Sequence, residues 1–215
     1  HGDTIILESC EYCNSFLSFY PTVAVILNVE ADHLDFFKDL GDIQHSFRSF
    51  AELVPQETGH VVANYDNASA RTALNGLDRP LFWFSLHDPK ADCHAEHITW
   101  ADGLPSFDIV IQGQIYAHVE LKVAAANICN ALAAASAAYV LGLPGSAVET
   151  GLAGFTGAGR RFEYKGEYHG AKVYDDYAHH PDELHALLTM ARQLGYQRLV
   201  VAFQPHTYSR TAKLF

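Results

Sequence analysis

The sequence predicts an α/β fold, a mostly parallel sheet with an antiparallel β patch, followed by a second and smaller α/β unit. Three observations lead there. Short apolar runs at residues 4–7, 23–27 and 60–64 end in polar residues, the pattern of strands buried on both faces of a parallel sheet. A helix-period segment lies between the second and third. From residue 81 the pattern changes to β-type runs separated by turn residues, and three glycines between 154 and 159 mark a change of unit.

Residues 4–7 read as the first strand, ending at Glu8, and 23–27 as the second, ending at Asn28. Between them Ser15 to Phe19 read as a short helix or turn leading through Pro21. Across 40–54, Ile43, Phe47, Phe50 and Val54 recur at helical spacing, a face for the core. Residues 60–64 are a third strand, and Asp66 is placed to cap a helix through Ala68, Ala70 and Leu74. The runs 81–84, 95–100, 107–112 and 114–123 form the antiparallel patch, with Gln112 and Gly113 at a hairpin turn. The alanine-rich stretch 127–140 is helical by propensity and stops at Gly142 and Pro144; a shorter helix covers 145–152. After the glycines come a hairpin through Gly166 and Gly170, a strand ending at Asp175, a helix from Asp182 to Leu194 opened by Pro181, and a strand at 198–203.

The composition is that of a globular chain: 49% hydrophobic residues and 18% charged. A formal charge of −11 argues against a general nucleic-acid binder, which needs a basic stripe. No apolar run is long enough to span a bilayer. The four cysteines are too few and too scattered for a disulfide scaffold. Cys10 and Cys13 form a lone C-x-x-C that no second pair supports as a zinc site. Reduced thiols in a cytoplasmic protein are the default.

The chemistry lies at the strand ends, where ligands sit in open α/β sheets. The densest stretch is Asp175, Asp176, Tyr177, His179 and His180, two carboxylates, a phenol and two imidazoles. Glu8 and His33 follow the first two strands, and a carboxylate with a neutral imidazole can hold Mg²⁺ or Mn²⁺ when phosphates and water supply the other ligands. Asn127 and Asn130 share one face at a helix start, where amides can read an adenine edge or cap the helix. Arg160 and Arg161 offer guanidinium forks for a phosphate. Each has a plainer reading as well: a satisfied loop histidine, a surface arginine pair, a solvated turn.

Taken together these stretches resemble the Mur ligases, ATP-dependent amide-forming enzymes of peptidoglycan synthesis. The segments that carry the likeness are 8–12 with 15–17, 28–35, 127–134, 159–163, 175–181 and 203–211, in family order across the chain. The resemblance implies a P-loop-type central domain at 1–154 and a partial, Rossmann-like C-terminal domain at 155–215. Within the family the pattern is similar to the branch that joins L-alanine to UDP-N-acetylmuramate. The murein tripeptide-recycling branch shares the 175–181 string. Carried over by position, Glu8 and His33 hold Mg²⁺ (or Mn²⁺), and Asn127 and Asn130 approach the adenine of ATP. Arg161 reaches the phosphates and Asp176 the ribose. Tyr177, His179, His180 and Arg210 form the amino-acid end, with a histidine as base for the alanine ammonium. The resemblance also implies an internal stretch of such a ligase, because the family's phosphate-cradling loop with its Lys and Thr does not occur in these residues. Ala124, Ala125 and Ala126 stand where the family has a Gly and a His. On that reading the chain alone does not turn over. A non-catalytic binding module and a metal-dependent hydrolase stay open as alternatives.

Overall fold

A computed structural model describes residues 4–101, 104–123, 127–179 and 181–205. Six strands form one sheet in chain order: β1 (Val23–Ile26), β2 (His60–Asn64), β3 (Leu81–Ser85), β4 (Cys93–Ala101), β5 (Leu104–Ile111) and β6 (Gln114–Glu120). The pairs β1–β2, β2–β3 and β3–β4 are parallel, and β4–β5 and β5–β6 are antiparallel. Helices α1 (Leu40–Glu52) and α2 (Ala68–Leu74) make the parallel crossovers. Helices α3 (Asn127–Val140) and α4 (Gly145–Gly154) follow β6.

At β2 and β3 the sheet is covered on both faces, which is why those strands read as continuous apolar runs. On one face Val62, Phe82, Phe84, Phe107 and Ile109 pack with Ile128, Leu132 and Ala135 of α3 and Val148 of α4. On the other, Ala24, Ile26, Val61 and Ala63 pack with Ile43 and Phe50 of α1 and Leu74 of α2. Phe16 joins this second cluster, stacked on Phe50 at 4.7 Å between ring centroids. It comes from a short 3₁₀ segment at Tyr12–Ser18, interrupted by Cys13 and Asn14 in left-handed backbone (φ 54° and 57°). Helix α1 starts where the Asp39 carboxylate accepts from the Asp42 N–H at 3.0 Å.

A two-stranded antiparallel hairpin, β7 (Glu163–Tyr168) and β8 (Ala171–Asp175), and helix α5 (Pro181–Gln193) complete the described elements. The β5–β6 and β7–β8 turns each have two successive positive φ values, at Gln112 and Gly113 and at His169 and Gly170. That twist matches the flanking strands.

The structure corrects four expectations. Residues 4–7 form no strand: Ile5 and Ile6 are 82% and 91% exposed. Residues 198–203 are likewise irregular, with Val200 79% exposed. Both runs have strand composition, but neither finds a ladder partner among the described residues, and β-propensity has no force without one. The run at 81–85 is parallel, so the antiparallel patch begins at β4. The α2 crossover lays β3 parallel to β2, and β4 pairs with β3 only at Phe84↔Cys93 and Ser85↔His94 before it runs antiparallel to β5. The cap of α2 is Asn67, whose side chain accepts from the Ala70 N–H at 2.7 Å. Asp66 instead binds the Ser85 hydroxyl and, at 2.7 Å, the Leu86 N–H, tying the end of β2 to the end of β3.

Candidate active site

Three groups of polar residues stand where the sequence places its chemistry. The first is built by the 3₁₀ segment and the loop after β1. His33 sits in left-handed backbone (φ 55°), its N–H donating to the Asp32 carboxylate at 2.7 Å. That conformation aims Nε2 at Glu11 Oε1, 3.6 Å away, with Asp32 Oδ2 at 3.8 Å. The Tyr12 ring lies on the imidazole at 4.7 Å, and the Tyr12 hydroxyl donates to Asp35 Oδ2 at 3.0 Å. The hydrogen bond to the Asp35 carboxylate raises the Tyr12 phenol above its ordinary pKa, since the phenolate would face an anion. The ion-pair partner of His33 is therefore Glu11. Glu8 is exposed and makes no hydrogen bond or ion pair among the described residues.

The donor set suits a hard divalent cation. A carboxylate and an imidazole side by side, flanked by Asp32 and Asp35, give the one or two protein ligands that Mg²⁺ takes when phosphates and water complete its octahedron. No cluster of three or more His, Cys, Asp or Glu forms a closed metal cage among the described residues.

The second group is the start of α3. Asn130 Nδ2 donates to Asn127 Oδ1 at 3.5 Å, so the two amides share one face as the three-residue spacing requires. Close behind, Asn64 at the end of β2 donates to the Cys129 sulfur at 3.6 Å, and burial pushes the Cys129 thiol up to about 11.

The third group gathers Arg160, Arg161 and the loop after β8. Asp176 spends both carboxylate oxygens on backbone, accepting from Phe162 N–H at 2.7 Å and Ala178 N–H at 2.8 Å. The Tyr177 N–H donates to the Arg160 carbonyl at 2.8 Å, and the Arg160 guanidinium lies 4.8 Å over the Tyr177 ring. His179 Nδ1 lies 2.9 Å from the Tyr177 carbonyl, an acceptor, which places the imidazole proton on Nδ1 and the lone pair on Nε2. Glu183 of α5 accepts from the His179 N–H at 3.0 Å and stands 4.0 Å from Arg161. Beneath the loop Phe162 stacks on Tyr174 at 4.3 Å. Burial first, and then the hydroxyl of Tyr196 at 2.9 Å, pushes Tyr174 up to about 12. His180 and Arg210 lie outside the described residues.

Sequence reasoning passed over Glu11 as the partner of His33, gave Tyr12 and Asp35 no role within the segments it singled out, and missed Glu183. The signal for Glu11 was present: it opens the turn that Phe16 anchors in the core, whereas Glu8 follows a run with no packing. Glu183 could have been found as the acid one helical turn past His179.

The chain matches the family described as "Mur ligase middle domain" over residues 3–138. The chain belongs to the Mur ligase family. A second Mur ligase match, described as "glutamate ligase domain", covers residues 160–215. Over 215 residues the chain is 44% identical to the UDP-N-acetylmuramate–L-alanine ligase of Caldanaerobacter subterraneus subsp. tengcongensis, covering 99% of this chain and 46% of the relative. It is 46% identical to the ligase of the same name from Agathobacter rectalis, covering 98% and 46%. The fold is similar to the crystal structure of the UDP-N-acetylmuramate-alanine ligase of Thermotoga maritima. There the TM-score is 0.68 at 25% identity, over 84% of this chain and 40% of that one. The chain thus spans about half the length of the curated relatives it matches. In Mur ligase terms, the first and second groups lie in the middle-domain match and the third in the glutamate-ligase-domain match.

Proposed function

We propose that this chain is part of an ATP-dependent cytoplasmic ligase that joins L-alanine to UDP-N-acetylmuramate in peptidoglycan synthesis. The observation that carries the reading is identity of 44% and 46% to two ligases of that name over nearly the whole chain, across both Mur ligase matches. A middle domain to residue 154 and a C-terminal domain from residue 155 fit those matches. No helix among the described residues is long and apolar enough to cross a membrane.

In this reading the muramyl carboxylate accepts the γ-phosphoryl group of ATP, and the amine of alanine then displaces phosphate from the acyl phosphate. Such chemistry rests on positioning and charge neutralisation more than on a protein nucleophile. Bound Mg²⁺ supplies the neutralisation of the phosphate oxygens. Glu11 and His33 are the residues that would hold it, with Glu8 nearby in sequence but not oriented by a hydrogen bond or ion pair among the described residues. Tyr12 and Asp35 fix the plane of the His33 ring. Asn127 and Asn130 face the adenine, and Arg161 draws on the phosphates once it exchanges Glu183 for them. Asp176 holds the loop to Phe162 and Ala178, and the second lone pair of each carboxylate oxygen can accept from a ribose hydroxyl. Tyr177, His179, His180 and Arg210 form the alanine end, where the Nε2 lone pair of His179 suits the base that the ammonium needs.

The test is phosphate release by the full-length protein that contains this chain. Release that requires both L-alanine and UDP-N-acetylmuramate supports the reading. Release with the L-alanyl-γ-D-glutamyl-meso-diaminopimelate tripeptide in place of L-alanine points to the recycling ligase. The enzyme of that specificity from Neisseria meningitides is similar in fold to this chain (TM-score 0.59, 31% identity). The metal assignment has its own readout. Mn²⁺ titrated into this chain and followed by electron paramagnetic resonance should bind roughly tenfold or more weakly to Glu11→Gln and His33→Gln. Glu8→Gln should bind as the parent does; the opposite ranking would return the role to Glu8.

A further inference from the structure

Away from these three groups, a row of reactive side chains stands on the solvent face of the antiparallel strands. Ser106 and Asp108 are two residues apart on β5 and so project to the same side of the sheet. His118 of β6 is the register partner of Asp108. The pairing makes a hydrogen-bonded chain: Ser106 Oγ lies 3.3 Å from His118 Nε2, and His118 Nδ1 lies 2.7 Å from Asp108 Oδ1. His97, at an irregularity in β4 with φ 52°, brings its own Nδ1 to 2.9 Å from Asp108 Oδ2. An ionised carboxylate can only accept. Both imidazoles therefore carry a proton on Nδ1, and His118 presents its Nε2 lone pair to the serine hydroxyl. The Asp108 side chain is 16% exposed and that of His118 57%, so the orienting acid lies beneath the base. The His118 N–H donates to Glu149 of α4 at 2.9 Å, which fixes the strand carrying the base.

We propose that Ser106 is an acyl-accepting nucleophile, with His118 as its general base and Asp108 as a positioning residue, reactive toward small activated esters. The hydroxyl proton passes to His118 Nε2 as Oγ bonds to the acyl carbon. The ester C–O bond breaks and the leaving group departs with its electron pair, taking up the proton from His118. Water, deprotonated by the same nitrogen, then cleaves the acyl-serine to the free acid. The strand face is open, so a short acyl group is the fitting substrate. The acceleration is that of a general base acting alone, about a hundredfold.

The probe is p-nitrophenyl acetate with this chain, following p-nitrophenolate release and locating the acetyl group by peptide mass spectrometry. Acetylation of Ser106, its loss in Ser106→Ala, and release slowed about tenfold or more in His118→Gln and Asp108→Asn are expected. The charged groups facing His118 are Asp108, Glu120 and Glu149, all acidic. Release by the parent should therefore rise with pH through an inflection above the ordinary imidazole value, and His118→Gln should lose that inflection, which a merely structural role would not produce. Circular dichroism melts identify a variant that has failed to fold, and Ser106→Thr, which keeps a hydroxyl, should retain some acetylation. Acetyl groups found only on lysines, or full release by a folded Ser106→Ala, overturn the proposal.

Discussion

Replacing Asp66 by alanine tests how the end of β2 is joined to the end of β3. One carboxylate oxygen accepts from the Ser85 hydroxyl and the other from the Leu86 N–H at 2.7 Å. Ser85 is fully buried, and its oxygen in turn accepts from the N–H groups of His87 at 3.0 Å and Asp88 at 2.7 Å. Alanine at 66 thus leaves one buried hydroxyl and one backbone donor without acceptors. Each unsatisfied donor costs about 1–3 kcal/mol. Asp66 is only part-buried, so water reaches some of the gap and the lower half of the sum applies, about 2–4 kcal/mol. Asp66→Asn keeps one acceptor oxygen and should lose about half as much. Urea unfolding followed by circular dichroism measures both, with an unchanged m-value showing that only stability has moved. A loss under about 0.5 kcal/mol for Asp66→Ala would show that the carboxylate is not holding the turn.

Other outcomes follow from the same geometry. Leu132 is fully buried between α3 and the sheet, and Leu132→Ala should cost about 2–5 kcal/mol in the same assay. Hydrogen bonds from His118 and His97 hold Asp108 below its ordinary 3.8, and the bond to Asp108 raises His118 above 6.5. A lowered acid adds stability above pH 3.8 that is lost as pH falls through its folded value. A raised histidine adds stability below pH 6.5 that is lost as pH rises through its folded value. The melting-temperature gap between the parent and Asp108→Asn should therefore peak between pH 3.8 and 6.5; a gap independent of pH contradicts the linkage. Ile5 and Ile6, 82% and 91% exposed, are sticky surface. Ile6→Lys should lower the concentration-dependent scattering of the chain, and unchanged scattering would clear this segment.

Much of the sheet was legible because β2 and β3 are buried on both sides and have to be apolar throughout. Helix α1 was legible because Ile43 and Phe50 must face one core, and α3 because alanine at successive positions has no better use. The hairpin at Gln112 and Gly113 announced itself through the positive φ that glycine accepts. Where reading failed, the missing quantity was a partner. Residues 4–7 and 198–203 look like strands residue by residue, but a strand exists only as half of a ladder. Asp66 and Asn67 are both good caps, and only the approach of Ser85 and Leu86 decides that Asp66 goes to β3.

The sites divide the same way. By itself the sequence determined that carboxylates, imidazoles, amides and guanidiniums gather at strand ends, and which family arranges them so, because residue type and spacing are local properties. Tertiary structure decided which of them meet. The fold of the 3₁₀ segment around Phe16 swings Glu11, not Glu8, toward His33. Strand register sets His118 opposite Asp108. Loop closure turns Asp176 inward to the backbone of Phe162 and Ala178. Such contacts depend on atoms far apart in the chain brought within about 3 Å, where a hydrogen bond forms, and no local pattern encodes that distance.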